Sequence, residues 1–349
     1  MFRRGPVAIV FAVACVLVGC VADETEPAAS ADDGGAVDGT SLAVRAVVGG
    51  LDGPTQFAVG PDGTWFVAQL SGGENDEAGS VVPVDPATGV VGEAVRTGLD
   101  KPTGVAVFDG RLWVQERRRL TVSTLDGSEV EVVVDDMAFN GRSSGSLSVD
   151  VVDGGERLLF ATTGSLRSRI EPPASPTLSS GVLWAVGPDG AVEPVGSGFK
   201  NAYAQVRASD GTLWTVEIAD GVYDGEVALD EVVAVAEGAD HGWPHCVDDN
   251  RPVAEFDGAA ERCADVPGSL IVFDRGATPT SIVESPWQPG ELLVALWNAG
   301  EVVSVPADGG AVATLLDSVE RPQQLVVDDG RLYLIDFGNG EILELSAGA

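Results

Sequence analysis

Six copies of one short unit, a tight turn leading into an apolar strand, recur along this chain. Glycine is abundant (45 residues), methionine is scarce (2), and 44% of the residues are hydrophobic. That apolar share is enough to offset the entropy of ordering the chain, so disorder is excluded. Gly- and Asp-bearing turns between valine-rich runs predict an all-β protein. Six repeats of about 50 residues, each with three strand signals and a weaker fourth, predict a six-bladed β-propeller.

The elements follow in chain order. Residues 1–19 read as a lipoprotein signal peptide. Arg3 and Arg4 form a positive start, and Val7 to Val18 is an apolar run too short to span a bilayer. Leu17-Val18-Gly19-Cys20 resembles a bacterial lipobox, which makes Cys20 the lipidation site. Residues 20–40 are small, acidic and aperiodic, a flexible tether. The propeller is expected over 41–349, with Ser41–Leu51 a spare strand that joins the last blade and closes the ring. These readings place the protein outside the cell, held to the outer face of the membrane by its lipid alone.

The repeated unit appears as Asp62-Gly-Thr-Trp-Phe-Val67, Asp109-Gly-Arg-Leu-Trp-Val114, Gly155-Glu-Arg-Leu-Leu-Phe160, Asp210-Gly-Thr-Leu-Trp-Thr215, Gly290-Glu-Leu-Leu-Val-Ala295 and Asp329-Gly-Arg-Leu-Tyr-Leu334. A second strand signal precedes each copy, clearest at Pro54–Val59, Pro102–Val107, Pro279–Val283 and Pro322–Val327. It is weaker at Gly145–Val149 and Asn201–Val206. A third follows several copies, at Gly79–Val84, Gly181–Val186, Gly300–Val305 and Gly340–Leu345. Residues 216–289 carry an insertion that holds Cys246 and Cys263. With Cys15 in the signal and Cys20 lipidated, these two are the remaining cysteines, and an even pair in an exported domain reads as a disulfide.

The formal charge is −34, and loss of residues 1–19 removes two arginines and no acid, leaving −36. So acidic a chain is repelled by phosphate backbones and anionic headgroups, which excludes nucleic-acid binding. Only two residues are lysine, Lys101 and Lys200. The sequence carries no signal of oligomeric state.

Over 198–244 a more particular pattern appears: Gly198-Phe-Lys-Asn201, Asp210-Gly-Thr-Leu-Trp214, Glu217, Asp230-Glu231, Gly238 and His241-Gly-Trp-Pro244. This order resembles the pyrroloquinoline quinone (PQQ)-dependent glucose/sorbosone dehydrogenase family, which has Gly-x-Arg-Asn, Gly-x-Leu-Trp, an acidic pair and Tyr-Gly-Trp-Pro. The likeness extends over most of 46–346. It implies a six-bladed propeller, PQQ and calcium as cofactors, and oxidation of a sugar or related alcohol. The chain departs from the family at the chemistry. Arg142 stands where the resemblance implies the catalytic histidine, and a guanidinium does not act as a general base near neutral pH. Lys200 stands for the arginine, a point charge in place of a fork. Ala219-Asp220 stands near the expected Gly-Pro.

The candidates that follow are Arg142, Lys200, Asn201 and Arg275 for a carboxylated quinone or another anion. Asp220 and Asp230 are the candidates for calcium, and His241 for a surviving base. Trp243 and Trp297 are expected near the mouth, and Arg117-Arg-Arg119 is expected to be neutralised locally. Three functions fit: an oxidoreductase with altered site residues; a non-catalytic propeller that binds a carbohydrate, envelope component or protein at its mouth; and a metal-dependent lactonase, for which the Glu/Asn/Asp set is weak.

Overall fold

The computed structural model describes residues 42–347 apart from 74–75, 139–144, 165–177 and 220. The signal peptide, Cys20, the tether, Arg142 and Asp220 lie outside the described residues.

Within them the chain forms six antiparallel sheets arranged as blades. Blade 1 runs Pro54–Val59, Trp65–Gln69, Gly79–Asp85, with Val90–Val91 and Arg96–Leu99 sharing its outer edge. Blade 2 is Gly104–Phe108, Arg111–Gln115, Leu120–Ser123 and Glu131–Val134. Blade 3 is Ser148–Val152, Gly155–Thr162, Val182–Val186 and Val192–Ser197. Blade 4 is Ala202–Arg207, Leu213–Glu217, Glu231–Ala234 and Ser269–Val272; blade 5 is Pro279–Glu284, Glu291–Leu296, Glu301–Pro306 and Ala313–Leu316. Blade 6 is Pro322–Asp328, Arg331–Asp336 and Glu341–Ala347, completed by Leu42–Val48 from the other end of the chain. The innermost strands adjoin in ring order, blade 1 against both blade 2 and blade 6.

The core lies between blades. Phe57 and Trp65 of blade 1 stack at 4.6 Å between ring centroids, and Tyr333 of blade 6 meets Trp65 edge-on at 4.8 Å. Blades 2 and 3 enclose Trp113, Phe160 and Trp184, and blades 5 and 6 enclose Leu293, Leu334 and Leu343. A middle strand packed on both faces needs no polar alternation, so Leu292–Leu296 and Leu332–Asp336 are buried throughout.

The largest shift of a strand start from its sequence signal is in blade 3. Blade 3's innermost strand begins at Ser148, not Gly145. Ser146 instead donates its N–H to the Tyr203 carbonyl at 2.7 Å in blade 4, and Gly145, at φ 104°, lies so close to Tyr203 that a Cβ would meet that carbonyl oxygen at 2.7 Å.

The insertion belongs to blade 4. It adds the hairpin Val222–Tyr223/Glu226–Val227 before the third strand. After it come the hairpin Cys246–Val247/Arg251–Pro252 and the helix Ala259–Cys263. Tyr223 meets Trp243 edge-on at 5.4 Å with Val247 and Val253 around them, a small core of its own. The disulfide Cys246–Cys263 ties the second hairpin to the helix. Among the described residues no helix is long and apolar enough to cross a membrane.

Candidate functional site

The mouth of the ring is built by the repeat itself. Four innermost strands open on the same turn: Gly53-Pro54-Thr55, Lys101-Pro102-Thr103, Thr278-Pro279-Thr280 and Arg321-Pro322-Gln323. In each, the residue before proline has a positive φ, 65°, 49°, 54° and 67° in that order. Glycine takes that region freely, whereas Lys101, Thr278 and Arg321 carry a Cβ into it at a cost, and such strain gathers at ligand sites. The Thr55 hydroxyl donates to the Pro102 carbonyl at 2.8 Å and the Thr280 hydroxyl to the Pro322 carbonyl at 2.9 Å, so each turn is tied to the next blade. Gln323 Nε2 donates to the Tyr203 hydroxyl at 2.8 Å, joining blade 6 to blade 4.

These turns surround a cavity of about 430 Å³, within the roughly 300–1,000 Å³ of small-molecule sites. Leu70, Ile218, Trp297 and Phe337, each at the end of a second strand, supply apolar wall. Both lysines of the chain line it, and both are buried, Lys101 at 8% exposure and Lys200 at 1%. Among the described residues no Asp, Glu or His lines this cavity. In a chain with 54 acidic residues, the gathering of both lysines in one cavity wall favours an anionic ligand.

Lys200 is held from beneath by Glu217. One carboxylate oxygen, Oε1, accepts the backbone N–H groups of both Lys200 and Asn201, the latter at 3.2 Å. Gly164 donates its N–H to the Lys200 carbonyl at 2.7 Å. The Lys200 ammonium also lies 6.0 Å from the Trp243 ring centroid. Burial pushes the Glu217 carboxyl up to about 8, with the neighbouring Glu231 charge adding to it and the two backbone N–H groups and Lys200 opposing it. Glu231 is pushed up to about 7, again chiefly by burial.

A smaller cavity of about 30 Å³ adjoins at Ala219 and is lined by Glu217, Glu231, His241 and Trp243; a water needs roughly 10–15 Å³. Glu217 Oε2 and both ring nitrogens of His241 are buried with no hydrogen bond among the described residues. The His241 ring stacks on Phe199 at 4.4 Å and 21°. Burial pushes its pKa down to about 4, against weaker opposing effects of the Ala236 carbonyl and Asp240. His241 therefore lines the side cavity and does not line the central one.

Of the other residues singled out in the sequence, Asn201 lines the central cavity beside Lys200, and Trp297 lies where expected. Arg275 is exposed and does not line the cavity. Asp230 is buried with both oxygens engaged by backbone: Oδ1 accepts from Ala219 N at 2.9 Å and Oδ2 from Thr278 N at 2.8 Å. It clamps two mouth loops. Among the described residues no group of three His, Cys, Asp or Glu side chains could hold a metal ion. Arg117, Arg118 and Arg119 pair with Asp100, Asp136 and Glu116 at 3.0–3.1 Å. Sequence reasoning missed Lys101. Its signal was present in the chain's two-lysine count and in the turn it shares with Thr278 and Arg321.

No family model matches the sequence, and no curated protein matches it. Solved structures do share its fold. A carbohydrate-active enzyme of family AA12 from Trichoderma reesei is 17% identical, with TM-score 0.69 over 90% of this chain and 97% of that one. A protein from Thermus thermophilus described as a putative oxidoreductase (glucose dehydrogenase) is 19% identical, with TM-score 0.67 over 88% and 100%. The PQQ domain of a pyranose dehydrogenase from Coprinopsis cinerea is 16% identical, with TM-score 0.67 over 87% and 95%. The chain is a six-bladed β-propeller of the architecture found in PQQ-dependent sugar dehydrogenases.

Proposed function

We propose that this protein is an exported, lipid-anchored propeller that takes a tricarboxylated quinone of the PQQ class in its central cavity and oxidises a sugar or related alcohol. The observation that carries the reading is the convergence of Lys101 and Lys200, the chain's two lysines, on that cavity. The residues present suit such a group. Two ammonium groups answer its carboxylates, Asn201 and the Thr103 hydroxyl offer further hydrogen bonds, and Trp297 and Phe337 offer flat walls. When bound, the quinone would supply the two-electron acceptor for alcohol oxidation. The chain's own part is to hold and orient. Lys101 and Lys200 bind, Glu217 fixes the Lys200–Asn201 backbone, and the Gln323–Tyr203 bond braces the cavity. The described side chains do not assemble a calcium site, because Asp230 is engaged by backbone N–H groups; calcium enters the reading as a component of the test.

A second reading, a non-catalytic propeller that binds a carbohydrate or anion, is favoured by one observation. No carboxylate or imidazole lines the cavity among the described residues to accept a proton. Adding PQQ and calcium to the full chain, then following dye reduction with a sugar panel, separates the two. Sugar-dependent reduction supports the oxidoreductase. Stoichiometric quinone uptake without reduction supports the binding protein, and failure to take up quinone contradicts the quinone site. The anchor predicts globomycin-sensitive processing at Cys20; an unacylated mature protein would contradict it.

A further inference from the structure

The central cavity shares part of its wall with a second one. Trp297 and Asn298 line both. The second, a more open cavity of about 540 Å³ between blades 5 and 6, is bounded beyond them by Gly300, Ser318, Glu320 and Arg321, the last its one cation among the described residues. The Trp297 ring is half-buried and packs against Phe337 at 4.8 Å and 55°. The Arg321 guanidinium lies over that ring, 5.7 Å from its centroid, within the roughly 6 Å of a cation–π contact.

Arg321 is fixed from both sides. Its N–H donates to the Val319 carbonyl at 2.9 Å, its carbonyl accepts from Phe337 N at 3.2 Å, and its φ is 67°. In a chain so rich in acids it forms no ion pair with any described carboxylate. An exposed arginine held on an aromatic ring beside a sugar-sized cavity has its fork available for a planar anion, and a carboxylate fits it bidentately.

We propose that Trp297 and Arg321 form a second sugar subsite, so that the ligand is a short oligosaccharide carrying one carboxylate beyond its first unit. The first unit occupies the central cavity, the second lies along Trp297, and its carboxylate meets Arg321. A single carboxylate is specified because the −34 background repels polyanions. The subsite rests on the reading of the central cavity as a sugar site.

Calorimetric titration of the full chain with glucose, cellobiose and cellobiouronic acid (glucuronate linked to glucose) tests it. Cellobiouronic acid is expected to bind at least tenfold more tightly than cellobiose. Arg321→Gln should abolish that difference, and Trp297→Ala should weaken both disaccharides, in variants whose thermal unfolding matches the parent's. Equal affinity for the two disaccharides, or a preference that survives Arg321→Gln, would overturn the subsite. Glucose binding alongside such a result leaves the central-cavity reading standing. Preferential binding of the acid through Arg321 without any uptake of PQQ keeps the subsite and removes the quinone. No binding of any sugar overturns both.

Discussion

At the scale of single residues the site depends on buried charge. Glu217, beneath Lys200, has a carboxyl pushed up to about 8, and Glu231 beside it is pushed to about 7, against 4.5 for an exposed glutamate. The folded protein therefore holds more protons than the unfolded chain between pH 4.5 and about 8, and stability falls as pH rises through that window. His241, pushed down from 6.5 to about 4, acts in the opposite sense: its contribution is lost as pH falls from 6.5 towards 4. Above pH 6.5 only the carboxyls act. The thermal unfolding midpoint is expected to drop between pH 6.5 and 8.5, and Glu217→Gln, which keeps the shape without the proton, should flatten that slope. A midpoint that rises over this range, or an unchanged slope in the variant, would contradict the assignment. This part of the site was barely legible in the sequence. In the sequence Glu217 stands out only as one member of a resemblance. Its burial and its bonds to Lys200 and Asn201 come from the packing of the insertion against blade 4, and spacing along the chain does not encode that.

At the scale of elements the insertion is the least repetitive part of the chain and supports the cavity wall. Asp230 clamps Ala219 to Thr278, and Trp243 sits beside Lys200. The Cys246–Cys263 disulfide spans 17 residues, and closing such a loop stabilises by about 3 kcal/mol in the chain-entropy model. Replacing both cysteines by serine is expected to lower the unfolding midpoint and to expose the segment 242–263 to proteolysis before the blades are cut. Loss of stability without preferential cleavage there would place the effect elsewhere. The disulfide was readable from cysteine count and export signal, and the insertion's position from the stretched fourth repeat. Its internal hairpins and helix were not, being two to five residues long and too short for a periodic pattern to register. Gly145–Val149 reads as a turn and then a strand, and Ser146 bonds across to Tyr203 so that pairing begins only at Ser148.

At the scale of the whole molecule the repeat decides almost everything, because each blade buries its faces only against its neighbours. Blade 6 is completed by Leu42–Val48, which pairs with Glu341–Ala347 from Leu42↔Ala347 to Val48↔Ile342. Deleting residues 42–48 is expected to lower the unfolding midpoint sharply and to reduce the cooperativity of melting; an unchanged melt would contradict ring closure by this strand. Six blades and their closure were legible because turn and strand recur together in the sequence. The cavity was legible only in part, since Lys200 and Asn201 were marked by motif, whereas Lys101 reaches the same wall from a blade about 100 residues earlier. Lys101 comes in on the X-Pro turn that opens blade 2, and Lys200 on the Glu217-held segment that precedes blade 4's innermost strand, against a background of −34. The most direct test of the central claim is equilibrium titration of the full chain with PQQ, for the parent and for Lys101→Met and Lys200→Met. Stoichiometric binding weakened roughly ten- to a hundredfold by each substitution is expected, the loss of a hydrogen bond to a charged group costing about 1.5–3 kcal/mol. Absence of binding, or binding indifferent to both lysines, would contradict the account.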